Sequence, residues 1–266
     1  MMSALSVISA PQQFRRRQPR HADFLGMPFS LLHQVEVIRL ITEQGGAPYR
    51  YVVTPNAHHV VTVHNEPRLL PVYQAAWLSL CDSRVVQSLA QLDRLPLPLV
   101  TGSDLIGALL AALSVSESAH TPRRVLVVGP PRATEQVLRR TYPKLDIDVM
   151  PAPNALSQSA ERRRAVARAC ANRTWDILLL CVGAPAQELI AQELATLGCK
   201  SGIALCVGAS IDFITGKSLR APLWLQQLKL EWAYRLIREP VRLWRRYLIE
   251  SPKIFRIFMA ERARGR

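Results

Sequence analysis

A short apolar run, a polar or glycine corner, then a stretch of helical periodicity: this unit recurs along the chain and restricts its fold more than any other feature. RYVV (50–53) meets Thr54-Pro55-Asn56 and then AHHVVTVHNEP, and AAWLSLC (75–81) meets Asp82 and then SRVVQSLAQL. RRVLVVG (123–129), LDIDVM (145–150), DILLLCVG (176–183) and GIALCVG (202–208) follow the same rule. Near-continuous apolar strands alternating with helices imply a mostly parallel sheet covered on both faces. The expected fold is a Rossmann-like, doubly wound α/β body. In TGSDLIGALLAAL, Thr101 and Asp104 stand at capping-box spacing before an apolar helix.

Lys217 to Arg266 breaks the rule and shows no strand pattern. It holds 13 Lys or Arg against 4 Asp or Glu, a balance of +9 in a chain whose total is +14. Leu225, Leu228, Trp232 and Leu236 continue from Trp224 near a 3.6 period, and Val241, Trp244 and Leu248 form a second apolar stripe after Pro240. Arg238, Arg242, Arg245 and Arg246 form a basic face. The organisation predicted is a flexible basic tail (1–21), an α/β body (22–216) and an amphipathic basic helical appendage (217–266). The appendage fits four uses: packing on the body, an anionic membrane surface, nucleic acid, or a diphosphate held by forked arginine hydrogen bonds. No reading helix, RNP motif or zinc finger accompanies it, so nucleic acid is not expected as a partner.

An apolar fraction of 49% over 266 residues suffices for a sizeable core. The five cysteines (81, 170, 181, 199, 206) lack CxxC spacing and read as buried thiols of a reducing compartment. No uninterrupted apolar run reaches the roughly 18 residues of a spanning helix, and the charges of the N-terminal stretch follow its apolar part, the reverse of a secretory signal. The expectation is a cytoplasmic protein that at most lies on a membrane.

Ligands of an open parallel sheet bind beyond the carboxyl ends of its strands. Thr54, Asn56, Asp82, Gly129, Gly183 and Gly208 fall there, with Gln187, Glu188 and Asp212 in the next turn. Asp82 directly follows an apolar strand, where a partly desolvated carboxylate can serve as a general base; the same spacing fits a helix N-cap over Ser83, Arg84 and Val85. Thr54-Pro55-Asn56 can bind a sugar or nucleotide, or form a strand-to-helix turn with Asn56 as cap. Asp212 reads equally as ligand contact or cap. The corners at Gly129 and Gly183 allow close backbone approach of a diphosphate, but neither is a GxGxxG or P-loop. His58, His59 and His64 lack HExxH spacing and read as ordinary surface or core histidines; no metal and no cofactor is expected.

TPNAHHVV, the Asp82 corner, VTGSDL, GAPAQE, VGASIDFITG and KSLRAPLWLQQLKLEWAYRLIREPVRLWRRYL occur in the order seen in the WecG/TagA/CpsF family of bacterial glycosyltransferases. The resemblance spans roughly residues 22 to 255, and FLGMPFSLL (24–32) is similar to the family's opening strand. It implies inverting transfer of a sugar from a UDP-sugar to a polyprenyl-diphosphate-linked saccharide, for exopolysaccharide or other surface polysaccharide, at the inner membrane face. It further implies Asp82 as general base and Thr54 and Asn56 as pocket residues beside it. Gln187 and Glu188 would face the donor nucleotide, and Arg235, Arg242 and Arg245 would hold the acceptor diphosphate. Two departures stand out: Asp82-Ser83-Arg84 replaces the family's frequent Asp-Gly, and Leu99-Val100 stands where many members have an arginine before GSD. Arg84 is expected to replace that missing charge. The donor sugar stays open among N-acetylmannosamine, its uronic acid and glucose. Oligomeric state is not read from these residues. The alternative is a basic nucleic-acid-binding α/β protein without catalysis.

Overall fold

The computed structural model describes residues 19–43, 48–115, 123–217, 221–222, 225 and 231–264, without the side chains of residues 231, 235 and 242. Most of the predicted N-terminal tail (1–18) and Trp224 lie outside the described residues.

The body is a six-stranded sheet in which every pairing is parallel. In chain order its strands are β3 (Arg50–Val53), β4 (Leu78–Ser79), β5 (Arg124–Gly129), β6 (Asp146–Pro151), β7 (Ile177–Leu180) and β8 (Ile203–Cys206), arranged β4-β3-β8-β7-β5-β6. The Rossmann-like expectation holds. Its cause is visible in the alternation of side chains across the central strands. Tyr51, Val53, Leu126, Val128, Leu178, Leu180, Ala204 and Cys206 enter one core, while Val52, Val125, Val127, Ile177, Leu179, Ile203 and Leu205 enter the other. Each such leucine, isoleucine or valine contributes about 1.5–3 kcal/mol of transfer free energy, and only a sheet covered on both faces collects it from consecutive residues.

The first core takes α2 (Ala57–Asn65), α3 (Leu70–Gln74), α7 (Ala160–Ala171) and α8 (Ala186–Thr196); the second takes α1 (Gln34–Glu43), α5 (Gly102–Val115) and α6 (Ala133–Thr141). Neighbouring strands β3 and β8 send their next helices to opposite faces. After β3 the chain enters α2 in the first core, and after β8 the short α9 (Ser210–Ile214) places Ile211 in the second. That divergence opens a crevice at the strand ends.

The expected opening strand is instead an antiparallel hairpin, β1 (His21–Phe24) and β2 (Met27–Ser30), outside the main sheet. Leu25 and Gly26 both have positive φ (53° and 67°), the turn geometry whose twist suits a two-residue hairpin. The hairpin protects the edge of the sheet: Ser79 N donates to Ser30 Oγ at 3.0 Å beside the short β4.

At the C-terminal end lie α10 (Glu231–Arg238), α11 (Pro240–Trp244), which continues through a π-helical turn (Arg245–Glu250), and α12 (Lys253–Arg264). The last helix joins the body. Ile254 and Phe258 are buried in the first core, Phe258 meets Phe24 edge-to-face with centroids 6.3 Å apart, and Arg262 Nε lies 3.1 Å from Asp93 Oδ1.

Candidate active site

The crevice at the ends of β3, β4, β7 and β8 widens into a cavity of about 590 Å³. Each corner is built by local rules. Asn56 caps α2: its Oδ1 accepts from His58 N at 3.1 Å, and its own N donates to His59 Nδ1 at 3.2 Å. Histidine here fills the third position usually held by Glu or Gln in a capping box. Thr54 is buried, and its hydroxyl donates to Cys206 O at 2.8 Å, tying the end of β3 to β8. The Asp82 backbone N–H donates to Pro55 O at 3.0 Å, which joins the β4 corner to the β3 corner. Thr101 caps α5, its Oγ1 accepting from Asp104 N at 3.2 Å while its hydroxyl donates to Asp104 Oδ2 at 2.5 Å.

Asp82 is half-buried and lines the cavity. The N-cap of α4 (Arg84–Leu92) is Ser83, whose Oγ accepts from Val86 N at 3.3 Å, so the capping role open to Asp82 in the sequence belongs to its neighbour. Arg84, the first residue of α4, and Leu99 line the same cavity. Across the crevice, Gly183 turns the chain with φ of +80°, a conformation that favours glycine, and Gly208 N donates to Gln187 Oε1 at 2.8 Å. Gly183, Gln187 and Gly208 complete that wall.

The cavity brings together Asp82, Thr54, Asn56, Arg84, Gly183, Gln187 and Gly208. It does not bring in Glu188, Asp212 or Arg245. Glu188 is 1% exposed beneath the wall, because its place on α8 turns it toward the sheet. Asp212 stands at the third position of α9, after the turn through Ala209, and its Oδ1 lies 3.8 Å from Lys217 Nζ. Arg245 turns outward, with Nε 3.3 Å from Glu250 Oε1. Gly129 is also absent from the wall. Its close approach is internal, since a Cβ there would stand 2.7 Å from Cys181 O. The side chains of Arg235 and Arg242 lie outside the described ones.

The C-terminal segment closes the cavity. Trp232, Leu243, Arg246, Tyr247, Leu248 and Phe255 all line it. Arg246 Nη2 donates to Asn56 Oδ1 at 3.4 Å, and Trp232 meets Tyr247 edge-to-face with centroids 6.3 Å apart. His58 Nδ1 lies 3.4 Å from Glu250 Oε2. This contact is not an ion pair, because burial, then the Arg246 guanidinium and His59, depress the His58 pKa to about 3 and keep the ring neutral. Among the described residues, no group of three or more His, Cys, Asp and Glu side chains could hold a metal ion, and no helix is long and apolar enough to cross a membrane.

A profile of the Glycosyl transferase WecG/TagA/CpsF family matches residues 22–266. The chain belongs to this family. It is a glycosyltransferase, and its substrates are a sugar donor and an acceptor. The match runs through α12, so the last ten residues, outside the span read from the motifs, are part of the family unit.

The motifs did not reveal His58, His59, Tyr247 or the cavity-facing role of Arg246 in this glycosyltransferase. A signal existed for one of them: His59 stands three residues after Asn56, where a capping-box partner belongs. For Arg246 the motifs gave only a place on the basic face; it stands three residues after the buried Leu243, and helical spacing puts both, with Tyr247, on the cavity.

Proposed function

We propose that this glycosyltransferase moves a sugar, with inversion, from a UDP-sugar to a polyprenyl-diphosphate-linked saccharide in bacterial surface-polysaccharide assembly. The observation that carries the reading is the meeting, at one cavity, of the Asp82 carboxyl with polar corners of the body and the basic, aromatic C-terminal segment. Asp82 takes the proton of the acceptor hydroxyl, the freed oxygen attacks the anomeric carbon, and the bond to the UDP oxygen breaks with its electron pair leaving on UDP. Arg84 offsets the charge developing on that diphosphate. Thr54, Asn56, Gln187 and the Gly183 and Gly208 corners shape the donor pocket.

Arginine suits a diphosphate because its planar fork matches two phosphate oxygens. Arg235, Arg242 and Arg245 hold the acceptor diphosphate in this reading, with Arg246 at the cavity itself. Exposed Ile237, Val241, Trp244 and Met259 support a peripheral position on the inner membrane face.

The test is a panel of UDP-sugars offered with a polyprenyl-diphosphate-sugar acceptor, reading UDP release and product mass. The expected product is the acceptor extended by one sugar residue. No extension with any donor, together with tight nucleic-acid binding of steep salt dependence, would favour the non-catalytic alternative.

A further inference from the structure

Glu188 occupies a position that stability alone does not explain. It lies close to Tyr51, Tyr73 and Cys206 beneath the cavity wall, and its Oε2 is buried without a hydrogen-bond partner among the described residues. Burying a carboxyl group so incompletely satisfied is unfavourable, so its other contacts must account for it.

Those contacts run to two separate corners. Glu188 Oε1 accepts from Gln187 Nε2 at 2.8 Å and faces His59 Nε2 at 3.4 Å. Gln187 in turn accepts the Gly208 N–H through Oε1, holding the turn after β8. His59 accepts the Asn56 N–H through Nδ1, holding the turn after β3. Because Gly208 N–H needs an acceptor, Gln187 must direct its amide nitrogen toward Glu188. Because Nδ1 accepts, a neutral His59 carries its proton on Nε2, the buried nitrogen nearest Glu188, which it meets by proximity of charge and dipole and not by a hydrogen bond. One oxygen therefore accepts the hydrogen bond of one arm and lies 3.4 Å from the ring nitrogen of the other. Pro55, next to Asn56, accepts from Asp82 N at 3.0 Å, which connects the third corner.

We propose that Glu188 and His59 are positioning residues, a buried bridge that holds the Asn56, Gly208 and Asp82 corners in register for glycosyl transfer. The proposal rests on the transfer reading above.

Three measurements on the full chain test it: steady-state kinetics, thermal melting, and ¹⁵N NMR of the His59 ring in wild type, Glu188→Gln and Glu188→Leu. Glu188→Gln keeps an oxygen facing both donors and is expected to stay within about threefold of wild-type kcat. Glu188→Leu strands both donors and is expected to lose kcat about 10–100-fold, the usual range for residues that orient a site from behind. Its Tm is expected to stay within about 4 °C. The ring is expected as the Nε2–H tautomer in wild type and Glu188→Gln and as a mixture in Glu188→Leu. Four results would overturn the bridge: wild-type kcat in Glu188→Leu, equal damage in both variants, a loss of rate that follows a large fall in Tm, or an Nδ1–H ring in the wild type. If the wild type transfers no sugar, the reaction reading fails by itself, and the NMR arm still decides the bridge.

Discussion

Ser83 accepts the Val86 N–H at the first turn of α4, which leaves capping to Ser83 and the Asp82 side chain on the cavity wall. The two residues should therefore fail differently. Under the proposed reaction, Asp82→Asn is expected to lower turnover about 10²–10⁴-fold, the usual worth of a general base, with UDP binding by calorimetry unchanged. Ser83→Ala is expected to cost about 1 kcal/mol in denaturant unfolding. Arg84→Ala is expected to raise the apparent donor KM about tenfold, the scale of one lost charge-assisted hydrogen bond; unchanged KM and kcat would remove Arg84 from the donor site. His58 gives a pH signature. Its folded pKa of about 3 lies below the ordinary histidine value of 6.5, so between those values the unfolded chain binds more protons. The stability it contributes is complete above pH 6.5 and is lost as pH falls toward 3. Melting curves of His58→Gln are expected to show a shallower loss of Tm over that window than the wild type. Asp82 and Thr54 were legible because each follows an apolar run directly, and Asn56 because it ends the corner that Thr54 begins. The buried position of Glu188 was not, since sequence adjacency to Gln187 says nothing of which neighbour faces inward.

At the scale of elements, the strands and their covering helices followed from period and composition, whereas the hairpin at residues 21–30 did not. Its positive φ at Leu25 is unusual for leucine, and no sequence rule demanded a turn there. The C-terminal helices carry the larger consequence. Because α12 buries Ile254 and Phe258 against Phe24 and α2, removing it opens the main core. Phe258→Ala is expected to destabilise the whole fold by about 3–5 kcal/mol, measured by chemical denaturation. A cost below about 1 kcal/mol would mean that α12 docks only loosely. By the same argument, truncation after Gly216 removes both cavity wall and core, so a fall in Tm is expected along with any loss of activity.

For the whole molecule, the C-terminal segment has one side on the cavity and another in solvent. Val241 is 90% exposed, and Trp244, Leu248 and Met259 are exposed with it. An apolar surface beside arginines is expected to bind anionic vesicles, with affinity that falls as salt rises. Val241→Glu combined with Trp244→Ala is expected to weaken co-sedimentation with such vesicles about tenfold or more. Equal sedimentation of variant and wild type would place the contact elsewhere. The sequence by itself determined the parallel sheet, because two-sided burial demands continuous apolar strands whichever helix covers them. It also determined the basic excess of the last fifth and the corner residues, since these are local properties. Tertiary structure alone decided which side chains share the cavity. That choice depends on helices leaving β3 and β8 to opposite faces, and on the C-terminal segment docking with Leu243, Arg246 and Tyr247 toward the cavity. It also decided that the basic end is wall and core as well as surface, because Phe258 finds its partner Phe24 at the far end of the chain.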